Sequence, residues 1–141
     1  MSDLSSTIFY KIIQGELPCY KVYEDEDFFV ILDKFPSSLG HCLIMPKTPA
    51  RNIFDLDEKS AQGLYPLAKR IATAVKSVVG ADGVHILQNN EAEADQTVFY
   101  FHLHIIPRHK NDGVRLGKPM AGITDDKMEQ IAQEIRKGLA K

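Results

Sequence analysis

Several features that would point to a function are scarce in this chain. Only two of its 141 residues are cysteines, Cys19 and Cys42, far apart and outside any Cys-x-x-Cys pair, so neither a zinc clip nor a redox motif is written in them. A reducing, cytoplasmic location is the expectation. Basic residues are not in excess: 17 Lys and Arg face 19 Asp and Glu, for a formal net charge of −2. General nucleic-acid binders depend on many phosphate-neutralising cations, so no nucleic-acid partner is expected, although a small phosphate-bearing ligand needs only a few donors. No apolar run approaches the roughly 20 residues that span a bilayer, and "MSDLSSTIFYKI" lacks a basic segment leading into a long apolar one, which argues against a membrane partner. Repeats, low-complexity stretches and linkers are also missing, so residues 1–141 are expected to form a single domain long enough to bury a core.

What is present is a regular succession of patterned segments. Ser6 is placed to cap a short helix through "TIFYKIIQ", ended by Gly15. "YKVYED" and "FFVILDK" predict an antiparallel hairpin, and "HCLIMPK" a further strand. Between Asp57 and Gly80, Ala61, Leu64, Leu67, Ala68, Ile71, Val75 and Val78 recur at helical spacing. Pro66 cannot donate its amide hydrogen, so the regular helix is expected to begin near it or to bend there. "GVHILQNN" predicts another strand, and Thr124 with Asp125 and Asp126 opens a last helix whose buried stripe is Met128, Ile131, Ile135 and Leu139. The sum is an α+β domain with an antiparallel sheet packed against helices.

The segment "VFYFHLHIIPR", Val98 to Arg108, holds the most chemistry. A period of two puts Phe99, Phe101, Leu103 and Ile105 on a core face and Tyr100, His102 and His104 on the other. Two imidazoles side by side admit three readings: solvated polar groups, metal ligands, or an attacking nucleophile with a neighbour that binds or protonates the leaving group. The metal reading finds few further ligands, His41 being the available third nitrogen. The catalytic reading gains from the preceding polar loop "NNEAEADQT", which can place Asn89, Gln96 and Thr97 as donors to phosphate oxygens. His85 and His109 are read as structural or solvated, Cys42 as core, Lys47 and Arg51 as surface charges, and "EDED" as a solvated turn.

"QTVFYFHLHIIPR" resembles the signature of the histidine triad family of nucleotide hydrolases and transferases, and the resemblance extends over nearly the whole chain. "IFYKIIQGELP" is similar to the family's amino-terminal segment, "FFVILDKFPSSLGHCLIMPK" to its central hairpin and histidine-bearing strand, and "LQNNEAEADQTV" to its phosphate loop. The likeness is greatest to the small Hint-like branch. It implies a five-stranded antiparallel sheet with a long helix and terminal helices, dimerising into a continuous sheet. His102 then matches the nucleophile, His104 the histidine that contacts phosphate and leaving group, and His41 a supporting histidine. Asn89, Gln96 and Thr97 match phosphate-loop positions, Asp33 the carboxylate that holds the ribose hydroxyls, and Ile8, Phe9, Ile12, Leu17, Ile31 and Leu32 the base pocket.

The implied activity is hydrolysis of purine nucleoside phosphoramidates through a nucleotidyl-histidine, with no cofactor and no catalytic metal. The alternatives are dinucleoside polyphosphate hydrolysis and nucleotide binding with little turnover. The nucleotidyltransferase branch carries glutamine where His104 stands. Two departures from the pattern matter. Tyr100 replaces the first histidine of the triad. Thr7, Tyr10 and Pro49 likewise replace the partners with which that histidine holds a structural zinc in bacterial relatives, so the zinc site is expected to be lost as a unit, with a Tyr100 phenol bond to His41 in its stead. Asp95 stands where the family has glycine, a carboxylate that either opposes polyphosphates or points to solvent.

Overall fold

The computed structural model describes residues 4–140. Its helices are α1 (Ile8–Ile13), α2 (Glu58–Val79) and α3 (Asp125–Leu139), and its strands β1 (Tyr20–Glu24), β2 (Phe28–Leu32), β3 (Cys42–Pro46), β4 (Gly83–Leu87) and β5 (Leu103–Arg108). The strands form one sheet in the order β1-β2-β3-β5-β4, every neighbouring pair antiparallel. This is the α+β architecture expected.

The sheet is covered on both faces, which explains why every residue of β2 and β3 is buried. On one face α2 and α3 pack Leu67, Ile71, Val75, Met128, Ile131 and Ile135 against Val30, Leu32, Ile44, Leu103 and Ile105. Each such aliphatic side chain contributes about 1.5–3 kcal/mol on leaving water. On the other face α1 sets Ile12, with Phe9, Tyr10 and Ile13, against Phe29, Ile31, Leu43, Met45 and Tyr100. Tyr20 donates a hydrogen bond to Asp125, and Arg136 donates one to the Lys21 carbonyl, tying α3 to β1.

The local signals operate with three corrections. Thr7, not Ser6, caps α1: its hydroxyl accepts from the Tyr10 amide at 3.2 Å, because Leu4–Ser6 are already wound into a 3-10 turn. Helix α2 starts at Glu58, capped by Asp57, and runs through Pro66 to Gly80, whose φ of 64° ends it. Pro66 and Gln62, whose carbonyl loses its helical donor, are both exposed, so water can satisfy the orphan. Strand β5 begins at Leu103 rather than Val98. Upstream, the Phe101 amide donates to the Ala50 carbonyl at 2.8 Å, which binds this stretch to the β3–α2 connection instead of to a ladder.

Candidate active site

Register places the imidazoles. β2 and β3 pair Leu32 with Cys42, and one step beyond this last rung the Asp33 amide donates to the His41 carbonyl at 2.8 Å. β3 and β5 pair Leu43 with His104. Residues opposite each other share a face, so His104 lies on the α1 side with Leu43. His102 precedes the strand on the same side, and its ring meets Phe9 edge-on at 4.8 Å and His104 at 4.9 Å between centroids.

The hydrogen-bond partners assign each tautomer. His102 Nδ1 lies 2.7 Å from the Tyr100 carbonyl, which only accepts, so Nδ1 carries the proton and Nε2 keeps its lone pair. The Ser37 amide donates to His41 Nδ1 at 2.9 Å, so in neutral His41 the proton is on Nε2. That nitrogen sits 2.9 Å from His104 Nδ1 and donates to it, which leaves His104 Nε2 protonated. The site therefore offers one unprotonated nitrogen, on His102, beside one N–H donor, on His104.

Burial keeps all three rings neutral at neutral pH. It lowers His41 to about 4, with a further push from His102, and His104 to about 3, with pushes from His102 and His41. His102 is also lowered, burial outweighing its bond to the Tyr100 carbonyl. Burial raises Asp33 to about 6, against the opposing bond from the Phe35 amide. Asp33 Oδ2 is 3.6 Å from His41 Nε2, too far for a hydrogen bond, and a neutral His41 forms no ion pair with it. Asp33, His41 and His104 do bring ligand atoms within 4.8 Å of one another. A cation there would need the lone pair of His41 Nε2, and the Ser37 amide keeps that nitrogen protonated.

The loop of residues 88–97 contains two non-glycine residues with positive φ. Asp95 has φ 69° and ψ 18°, the left-handed conformation that explains a glycine preference at this position and that Asp tolerates. Glu91 has φ 76° and ψ 161°, a region all but confined to glycine. Its carboxylate is gripped by Arg51, Nε to Oε2 at 2.9 Å and Nη2 to Oε1 at 2.8 Å, and by Asn52 Nδ2 at 2.6 Å. These bonds, Arg51 first, hold its pKa down to about 2. Arg51 also lies over the Phe99 ring at 4.2 Å. Phe99 accordingly packs half-buried under a guanidinium rather than in the core, and Arg51 is more than a surface charge.

Gln96 departs from its expected role. Its oxygen accepts from the Glu91 amide and Asn52, and its NH2 donates to the Arg51 and Val98 carbonyls. With both donors and both lone pairs engaged, this buried amide is a strut of the loop and has nothing left for a phosphate. The Asn89 side chain donates one long bond, 3.4 Å, to the Asp95 carbonyl. Thr97 is exposed, with neither hydroxyl nor amide engaged among the described residues. Of the expected pocket residues, Phe9, Ile12 and Ile31 lie on the α1 side, while Ile8 and Leu17 are exposed. Leu32 points into the opposite core, being one residue out of phase with Ile31.

Comparison with known proteins places this arrangement. The family model of the HIT domain matches residues 14–111. The chain belongs to the HIT, or histidine triad, family. Among members of the HIT family, adenosine 5'-monophosphoramidase hnt1 of Schizosaccharomyces pombe is 34% identical, the alignment covering 92% of this chain and 96% of that protein. A Bartonella henselae Hit-like protein described as involved in cell-cycle regulation, with an unknown ligand, is 37% identical and superposes with a TM-score of 0.85 over 98% of this chain and 99% of that one. A zinc-bound histidine triad protein of Mycobacterium smegmatis is 33% identical with the same TM-score of 0.85, over 98% and 96% of the two chains.

This HIT protein does not offer the zinc donors expected to be lost. The Thr7 hydroxyl is spent capping α1 and donating to the Leu4 carbonyl, and Pro49 has no side-chain donor atom. The Tyr100 phenol, buried with its pKa pushed well up, donates to the Pro46 carbonyl at 2.5 Å and not to His41. Arg51, Asn52 and Glu91 were hidden from sequence reasoning because they pair across some 40 positions, with no periodicity to join them.

Proposed function

We propose that this HIT protein hydrolyses purine nucleoside phosphoramidates by nucleotidyl transfer through His102. The observation that carries this reading is the bond from His102 Nδ1 to the Tyr100 carbonyl, which leaves Nε2 unprotonated beside the His104 N–H donor. His102 Nε2 attacks the α-phosphorus. A P–N bond to the imidazole forms, the P–N bond to the leaving amine breaks, and the His104 Nε2 proton goes to the departing nitrogen. The positive charge on the nucleotidylated ring balances the charge left on His104. Water then attacks phosphorus, gives a proton back to His104, and releases the nucleoside monophosphate and neutral His102. No step calls for a metal.

Thr97 and Asn89 are the loop donors with capacity for phosphoryl oxygens, Asp33 receives the ribose hydroxyls, and Phe9, Ile8, Ile12, Leu17 and Ile31 receive the base. Asp95 and Glu93, exposed on the loop, disfavour longer polyphosphates by repulsion. The S. pombe relative, named a monophosphoramidase, supports the same substrate class. The test is hydrolysis of adenosine 5'-phosphoramidate beside diadenosine tetraphosphate. Wild type should cleave the phosphoramidate faster, and His102→Ala should lose about a thousandfold or more in kcat. Cleavage that survives the substitution would contradict the reading.

We further propose a cytoplasmic homodimer joined along β4. This edge strand exposes Ile86 beside Tyr65 and Pro66 of α2, around a shallow groove also lined by Lys69, Ala72 and Thr73. Sedimentation of wild type against Ile86→Lys should show a dimer giving way to monomer; a wild-type monomer would refute it.

A further inference from the structure

We propose that Arg51 and Glu91 form a clamp that positions the phosphate loop, with Glu91 as its strained member and Arg51 as the positioning residue. The proposal rests on the function assigned above to the loop. Glu91 occupies a backbone region that side chains avoid, φ 76° and ψ 161°. Such a conformation persists only where the surroundings impose it. Here the imposing groups are identified: Nε and Nη2 of Arg51 and the amide of Asn52 converge on the Glu91 carboxylate. An exposed ion pair of one contact is weak, but this one is bidentate, shares Asn52 with Gln96, and has its cation seated on Phe99.

The clamp reaches the site through short covalent and hydrogen-bonded paths. Glu91 accepts at its carbonyl from Gln96 N at 3.1 Å and gives its own amide to Gln96 Oε1 at 2.7 Å, so the Glu91 conformation fixes the residue immediately before Thr97. Asn90 Oδ1 accepts from the Ile53 amide at 2.8 Å, a second tie to the same segment. That segment also supplies the Ala50 carbonyl that anchors Phe101, next to His102. One stretch, residues 50–53, therefore ties down both the approach to His102 and the 88–97 loop.

A glycine at 91 adopts this backbone without needing the clamp, which gives a specific test. Arg51→Ala should speed amide hydrogen exchange across residues 89–97 and lower kcat/KM on the phosphoramidate by about tenfold or more, chiefly through kcat, with the melting temperature little changed. Arg51→Lys, which keeps the charge but not the fork, should fall between. In a Glu91→Gly background the further change Arg51→Ala should have little effect on either readout. Equal losses on adding Arg51→Ala in both backgrounds, or unchanged exchange in Arg51→Ala, would overturn the clamp. Hydrogen exchange decides the matter even if the protein fails to turn over the phosphoramidate, in which case the assigned activity falls and the clamp is judged separately.

Discussion

The imidazole cluster and the 88–97 loop, joined in one site by the proposed function, are held by different forces. His41, His102 and His104 take their places from strand register, and their tautomers from backbone groups: the Ser37 amide and the Tyr100 carbonyl. No charged side chain is needed, and burial keeps the rings neutral. The loop has only a 3-10 turn of regular structure, Ala92–Ala94, and relies on charge-assisted side-chain bonds from Arg51 and Asn52 to keep a strained conformation. The proposed nucleophile, His102, thus stands on the stable core, where it is insensitive to salt, while the loop proposed to bind phosphate depends on a half-exposed ion pair.

The sharpest way to break this division is through the core beneath the imidazoles. Ile105 is wholly buried next to His104, so Ile105→Ala should cost about 2–5 kcal/mol of unfolding free energy in denaturant titrations, and should disturb the histidines before the loop. Loss confined to the loop would contradict the comparison.

Acid should separate the two regions next. His41 and His104 have folded pKa values of about 4 and about 3 against an ordinary 6.5, so the stability they contribute is full above pH 6.5 and is lost as pH falls toward those values. Asp33, raised to about 6, acts in the opposite sense: its contribution is full below its ordinary value of 3.8 and is lost as pH rises through about 6. Between pH 4 and 6 the histidines outnumber it. The unfolded chain binds more protons, and stability should fall with falling pH by about 1.4 kcal/mol per unit for each net proton. His41 and His104 should remain neutral by NMR at pH 6, and imidazolium signals from them there would refute the assignment.

How much was legible in the sequence follows the same division. The alternation through Tyr100, Phe101, Leu103, His104 and Ile105 gave the correct faces, because period two persists even where the ladder has not begun. It failed at Phe99, where Arg51 supplies a partner that no local pattern reveals. Leu32 could have been excluded by its parity with Ile31. Gln96, Arg51 and Glu91 could not have been read, since their roles come from contacts between distant loops. The Thr124 cap and the acidic first turn of α3 were plain because helix ends are local.

Two smaller effects would refine the comparison. Thr124→Ala should cost about 1 kcal/mol through the lost cap of α3 while leaving turnover unaltered, since α3 lies across the sheet from the histidines. Asp95→Asn should lower KM for diadenosine tetraphosphate by roughly two- to fivefold, the scale set by about 1 kcal/mol between unit charges 4 Å apart in water; an unchanged KM would mean that this carboxylate faces solvent.

The identity of the attacking atom is the most direct test of the proposed reaction. A single turnover of adenosine 5'-phosphoramidate, quenched and mapped by mass spectrometry, should place the nucleotidyl group on His102, with none in His102→Ala. A nucleotidyl group on His104 or elsewhere, or rapid turnover with no covalent species, would contradict it.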